Sequence, residues 1–376
     1  MKKYLLIIVP ILFLNSCQTD DPLPTGDGSE QPVIPTDPVG KVKGFYLLNE
    51  GNLFQNKASL DYFDYTTGLY ESNVFSKANP EAVGGLGDVG NDISLYGSKL
   101  YIVVNGSNKI EVLDVKTRKR LKQIELNNCR YVTFYKGKAY VSSYLGQIGD
   151  PESPNGVVAE IDTTSLSITR SVEVGRQPEE LVAHDDKIYV ANSGGYSPPD
   201  YESTISVIDI PSFAETKRIE ISINLHRLKI DSEGDLYVSS RGNYFDIPSK
   251  LFVIDTKTET IKKTFDLAVS DMAISNDIAY IFSTEFSFKT GENTISYDML
   301  DTKTETLIQG SFISEANQKL IKIPYGIAIN PDTGDIMVTD AKDYVTPGDL
   351  YCFSPDGELK WTVETGDIPS HFTFIY

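Results

Sequence analysis

The chain has 376 residues, 34 Lys and Arg against 53 Asp and Glu, and a formal charge of -19. An excess of acid on this scale repels polyphosphate, and the one basic run, Lys116 to Lys122, falls in a hairpin, so nucleic acid is disfavoured as a partner. Three cysteines (Cys17, Cys129 and Cys352) show no CxxC or Cys/His spacing, which argues against a metal knuckle or redox pair, and Cys129 and Cys352 are expected to fill small packing spaces.

Met1 to Ser16 has a basic start at Lys2 and Lys3 and an apolar run from Tyr4 to Leu14. That run is too short to span a bilayer and reads as a signal peptide. Loss of the leader with its two lysines takes the charge to -21. Leu14-Asn15-Ser16-Cys17 resembles a bacterial lipobox, which implies cleavage before Cys17 and lipidation of that residue. Gln18-Thr19-Asp20-Asp21 resembles the acidic export tag of surface lipoproteins in some Gram-negative gut bacteria. The expected location is the outer membrane, lipid-anchored and facing outward. Residues 17–42, with five prolines, read as a flexible, partly extended tether, and residues 43–376 as one domain.

The domain is a repeat. Leu251-Phe252-Val253-Ile254, the turn Asp255 to Thr260 and a strand from Ile261 to Leu267 make a hairpin that recurs along the chain. Its equivalent positions are Asp64, Asp114, Asp162, Asp209, Asp255, Asp301 and Ser354, at steps of 50, 48, 47, 46, 46 and 53 residues. A second strand, Leu100 to Val104, recurs as Ala139-Tyr140-Val141, Ile188-Tyr189-Val190, Leu236-Tyr237-Val238, Ala279-Tyr280-Ile281 and Ile336-Met337-Val338. In the second unit the four strands read Asp92–Leu95, Leu100–Val104, Lys109–Leu113 and Arg120–Leu126. A period of about 40–50 residues with four strands per unit predicts an all-β, seven-bladed propeller of antiparallel blades. Phe372 to Tyr376 looks like a first strand with nothing after it, while the unit opening at Gly44 lacks one. The C-terminal strand is therefore expected to complete the N-terminal blade and close the ring, with no helix needed.

Chemistry-bearing motifs are few. His184 reads as a turn residue, and His226 and His371 as the starts of innermost strands, where only those two could approach across a wide channel. Neither a catalytic triad nor a metal site is expected from them. Gly85 to Gly90 matches GxGxxG by letter but precedes a strand and reads as a flexible loop, not a phosphate cradle. Asp332-Thr333-Gly334-Asp335 lacks the twelfth-position acid of a calcium loop and reads as a β-turn.

The loops between second and third strands are longer than turns require: Asn49–Ser59, Ser143–Gly156, Asn192–Ser203, Ser240–Ser249, Thr284–Asn293 and Asp340–Asp349. Propeller geometry brings them to one face together with the starts of the innermost strands, and such loops commonly carry binding. They hold Phe54, Tyr144, Tyr196, Tyr201, Tyr244, Phe245, Phe286, Phe288 and Tyr344. Rings among amides and hydroxyls offer stacking area and orienting hydrogen bonds. With Asn49 and the mouth residues Arg130, Tyr131, Glu179, His226, Arg227, Tyr325 and His371, they form the expected ligand-binding face.

The Tyr-Val and Ile-Asp-Thr repeats from Gly44 to Tyr376 resemble the YncE-like seven-bladed propellers. Phe45-Tyr46-Leu47-Leu48-Asn49-Glu50-Gly51-Asn52, then Ser59 to Asp64, and the lipoprotein leader resemble the BtuG-type lipoproteins. That resemblance implies a non-enzymatic surface protein that captures cobalamin or a related corrinoid and passes it to a TonB-dependent, BtuB-like transporter. The corrinoid is cargo there, and no resident cofactor or metal is implied. A surface propeller binding glycan or protein by the same aromatic face stays open, as does a lactonase-like or lyase-like propeller enzyme.

Overall fold

The computed structural model of the chain describes residues 30–32, 41–146, 152–287 and 292–376. Cys17 and Phe288 lie outside those residues. Seven antiparallel sheets follow one another in chain order. Blade 2, for example, runs outward through Gly90–Tyr96, Lys99–Val104, Lys109–Asp114 and Arg120–Glu125. Each innermost strand packs against the innermost strand of the next blade, and the sequence of contacts returns to its start.

Blade 1 closes the ring. Its innermost strand is Pro369–Ile375, paired with Gly44–Asn49 from Gly44↔Ile375 to Asn49↔Pro369. The sheet goes on through Ser59–Asp64 and Leu69–Glu71. Glu30–Pro32, inside the stretch read as a free tether, adds a fifth, outermost strand opposite Leu69–Glu71. That outer edge offers unpaired backbone groups, and an extended, proline-rich segment can satisfy them without packing a core. Two short helices, Val74–Ala78 and Glu315–Gln318, sit in connections that the repeat pattern left as loops. The first buries Val74 and Phe75 under the edge of blade 1.

Alternation along the strands builds the core. Successive side chains point to opposite sheet faces, and here each face is covered by a neighbouring blade. Phe45 and Leu47 therefore join a cluster with Met337, Leu350 and Trp361 of blade 7. Tyr46 and Leu48 join the cluster with Leu100 and Ile102 of blade 2. Seven such clusters fill the seven interfaces between blades. Burial on both faces explains why second strands read as continuous apolar runs, while outer strands such as Arg120–Glu125 stay exposed. Cys129 and Cys352 are buried in these clusters as free thiols, as expected.

Two repeated residue types have direct roles. The hairpin Asp caps its turn: Asp255 Oδ1 accepts from the Lys257 and Thr258 amides at 2.7 and 2.9 Å, and Asp64, Asp114 and Asp162 do the same. In three blades the tyrosine of the second strand latches onto the next blade. Tyr46, Tyr189 and Tyr237 donate their hydroxyls to the carbonyls of Val115, Thr256 and Thr302, each in the turn of the next blade. The Asp332–Asp335 segment is a turn, as expected, with Asp335 buried against Lys360. The Gly85–Gly90 segment precedes a strand as expected but is anchored, since Leu86 is buried and Gly87 bridges to Ala58.

Candidate functional site

The loops do share one face with the starts of the innermost strands. The expected wide channel between them is not there, because charged and aromatic side chains close it. Arg130 from blade 3 meets Glu179 of blade 4 at 2.9 Å. Arg227 from blade 5 meets Asp271 of blade 6 at 3.0 Å. Tyr131 reaches across the axis: its hydroxyl accepts from Arg227 Nη1 at 3.0 Å and lies 3.3 Å from His226 Nε2. Its ring meets that of His371 edge-on at 6.1 Å between centroids. His371 and His226 thus stand on either side of Tyr131. His371 Nδ1 is 4.0 Å from Asp92 Oδ1, and His226 Nε2 accepts from Arg241 Nη2 at 2.8 Å.

Burial sets the charges in this plug. Both imidazoles are held well below their ordinary value, first by burial and then by nearby cations, Arg241 and Arg227 for His226 and Arg227 and Lys229 for His371, so both are neutral at pH 7. Burial would raise Glu179, but the Arg130 and Arg241 guanidiniums and the Tyr144 hydroxyl outweigh it and hold the carboxyl below its usual range. Glu50, which accepts from the Tyr325 hydroxyl at 2.8 Å, is pushed up to about 7 by burial. Asp92 is pushed up to about 6, again chiefly by burial.

The residues assigned to binding from the sequence divide into two groups. Asn49, Arg130, Tyr131 and Tyr144 are buried scaffold. Asn49 Nδ2 donates to Asp61 at 2.8 Å, and Tyr144 hydrogen-bonds Glu179 beneath a stack that includes Arg130 and Tyr196. A side chain with hydrogen-bonding or packing partners on every side has nothing left for a guest. The loop expected at Thr284–Asn293 is also different. Its strands run on as a ribbon, Ile278–Ser287 against Glu292–Asp301, and Phe286 lies in the first of them.

The second group is open. Phe54 is 89% exposed, Phe245 94% and Tyr244 61%, and Tyr196 and Tyr344 are also exposed, with Tyr201 half-buried. Phe54 and Phe245 are far apart around the face, in the loops of blades 1 and 5. His226 and Arg227, themselves buried, join the half-buried Tyr325 and the exposed Tyr244, Phe245 and Tyr344 in lining one cavity of about 880 Å³ over blades 5 to 7. Asn243 shapes its rim: its Oδ1 accepts from the amides of Phe245, Asp246 and Ile247 at 3.0, 3.0 and 2.8 Å, which holds the Phe245 ring out in solvent. Tyr325 packs edge-on against Tyr344 at 5.9 Å. Ile247, Val269 and Phe282 supply apolar wall, and Ser270, Thr284 and Asn293 supply polar groups.

Sequence reasoning missed Arg241, which lines the same cavity. It is the one cation in the loop Ser240–Ser249, beside Gly242 and the Tyr244-Phe245 pair, and that isolation was the available signal. A second cavity of about 890 Å³ lies at the flank of blade 1, between Asn56–Ser59, Asn79–Leu86 and Thr365–Asp367. Its walls mix small and polar residues with Val83, Leu86, Val345 and two prolines and carry no aromatic ring, so it offers no stacking surface. Among the described residues no group of three or more His, Cys, Asp or Glu is placed to hold a metal ion.

Residues 43–374 match the family model described as "Domain of unknown function (DUF5074)". The chain belongs to this family. No curated protein matches the DUF5074 chain. Among solved structures it is similar to a quinonprotein alcohol dehydrogenase-like protein from Bacteroides thetaiotaomicron, at TM-score 0.60 and 16% identity over 89% of this chain and 78% of that one. It is also similar to hydrazine synthase of Kuenenia stuttgartiensis, at TM-score 0.59 and 14% identity over 71% and 77% of the two chains. The Pan2 WD40 domain of Neurospora crassa gives TM-score 0.53 at 12% identity, over 76% of this chain and 82% of that domain. At these identities the likeness is one of fold.

Proposed function

We propose that this DUF5074 protein is a non-catalytic capture module, that it holds a corrinoid such as cobalamin in the cavity over blades 5 to 7, and that it hands the corrinoid to a TonB-dependent outer-membrane transporter. The observation that carries the reading is the cavity itself: aromatic rings held open to solvent around a polar floor, on a scaffold latched from blade to blade. A corrinoid is broad and flat with many amide arms. Rings such as Tyr244, Phe245 and Tyr344 can cover its faces, while hydroxyls and amides such as Ser270, Thr284 and Asn293 meet its arms. If the latched scaffold stays fixed when such a guest docks, little ordering cost is set against binding. Lipidation at Cys17 and a tether ahead of the propeller would keep the module at high effective concentration beside a transporter.

Calorimetric titration with cyanocobalamin, run beside a panel of host and plant glycans, tests the reading. Saturable binding of cyanocobalamin alone supports it. Binding of a glycan with no corrinoid heat overturns the ligand assignment in favour of a glycan-binding propeller. Turnover of any panel compound would overturn the non-catalytic part.

A further inference from the structure

We infer that Arg241 makes one wall of the cavity over blades 5 to 7 an oxyanion subsite, suited to a phosphate or carboxylate group carried by the guest. The neighbouring cations each have a carboxylate. Arg130 is neutralised by Glu179, Arg227 by Asp271 and Lys229 by Glu180. Arg241 forms no ion pair with any carboxylate among the described residues. Its one side-chain hydrogen bond is to a neutral acceptor, His226 Nε2, at 2.8 Å.

That contact fixes the imidazole. With Nε2 accepting from Arg241, the proton sits on Nδ1, which is buried and has no partner. His226 is only 4% exposed and is enclosed by Tyr131, Arg227 and Arg241, so it cannot swing away to make room for a counter-ion. It therefore positions one Nη of the guanidinium and compensates none of its charge. The remaining N–H edges of Arg241 have no acceptor among the described residues, and the residue lines the cavity. A guanidinium held in one orientation, partly shielded from water and with an unused fork, is the arrangement that binds a planar or tetrahedral oxyanion by two parallel hydrogen bonds.

The backbone keeps the group in place. The Arg241 amide donates to the Asn224 carbonyl at 3.0 Å, and the Ser249 hydroxyl donates to the Arg241 carbonyl at 3.3 Å, so both ends of the loop are tied at its base. Glu50 faces the same mouth from blade 1, where its partner is the Tyr325 hydroxyl. Glu179 acts on Arg241 through space, but its carboxylate is already bonded to Arg130 and Tyr144. On a chain with a formal charge of -19, an arginine with no bonded carboxylate inside an aromatic cavity favours an anionic group at that point. The inference does not depend on the guest being a corrinoid.

Inorganic phosphate is the direct probe, with chloride at matched ionic strength as control. The full chain, with Arg side-chain Nε–Hε signals followed by NMR, is expected to show saturable shifts at Arg241 on adding phosphate and none of similar size at Arg218, an exposed arginine on blade 4. Arg241→Gln is expected to weaken phosphate binding about tenfold or more, and Arg241→Lys to lie between, as loss of a charge-assisted fork predicts. The wild-type shifts need no variant and decide the matter even if Arg241→Gln folds poorly. Phosphate shifts no larger than those with chloride, shifts centred on other arginines, or unchanged affinity in Arg241→Gln would each overturn the subsite. A chain that binds phosphate at Arg241 but not cyanocobalamin keeps the subsite and loses the corrinoid. One that binds cyanocobalamin but shows no phosphate response at Arg241 does the reverse.

Discussion

Blades 3 and 4 and blades 5 to 7 present the same scaffold positions to the same face and use them in opposite ways. Over blades 3 and 4, Arg130 is paired with Glu179, and Tyr144 is folded down onto that pair and fully buried. Over blades 5 to 7, Arg241 has a neutral histidine for a partner, and Tyr244 and Phe245 stand in solvent. Around Arg130 the face has become core, while around Arg241 the rings and the cation are left unused. Long aromatic loops alone therefore do not make a site. What separates the two is whether a carboxylate is bonded to the cation and a packing surface covers the rings of each loop.

The sharpest way to break this comparison is to remove the counter-charge on the closed half. Glu179→Gln leaves Arg130 buried without its carboxylate and is expected to cost about 3–5 kcal/mol. Arg241→Gln deletes a cation with no carboxylate and is expected to cost about 1 kcal/mol or less. Urea unfolding of both variants measures the contrast, and equal losses would remove it. The open half should respond in binding instead. Tyr244→Ala with Phe245→Ala is expected to weaken cyanocobalamin by about 2 kcal/mol or more. Its unfolding free energy should change by no more than about 0.5 kcal/mol per site, because exposed side chains contribute little to the fold. A smaller effect is expected for Tyr144→Phe, which removes the hydroxyl from Glu179 and should cost about 1 kcal/mol of stability with ligand affinity unchanged.

The histidine that orients Arg241 gives a pH signature. Native His226 is held well below its ordinary value of 6.5 by burial and by Arg241 and Arg227. The unfolded chain then takes up a proton that the native chain refuses, so stability present above about pH 6.5 is lost as the pH falls. His226→Gln should remove its part of that slope, leaving the part that belongs to His371 and the opposing parts of Glu50 and Asp92, whose raised carboxyls titrate in the same range. Unfolding midpoints at pH 7.5, 6.5 and 5.5 give the reading, and an unchanged slope would mean that His226 is not buried as described.

The ring was legible because it rests on short-range signals repeated seven times. Asp255 and its equivalents cap turns, and Tyr46, Tyr189 and Tyr237 latch blades, so a period of 46 to 53 residues could be read directly. Closure by Pro369–Ile375 followed from counting strands. The site was legible only in outline. The sequence marked the loops and their rings, but exposure is set by which side chains meet across blades. Tyr144 and Tyr244 look alike in the chain, and only the first finds a buried Glu179 to accept its hydroxyl. Arg241 was passed over because a lone cation in a loop is a weak mark by itself, and its meaning lies in having no carboxylate bonded to it. The fifth strand, Glu30–Pro32, gave no signal because proline-rich composition points to a tether whether or not an open edge lies nearby.

The claim that matters most is that the cavity over blades 5 to 7 is where a guest docks. Hydrogen exchange of the full chain with and without saturating cyanocobalamin tests it in one measurement. Protection confined to residues 241–249 and 268–270 and the stretch from Tyr325 to Tyr344 is the predicted result. Protection at Asn79–Leu86 beside blade 1, or none anywhere, would contradict it.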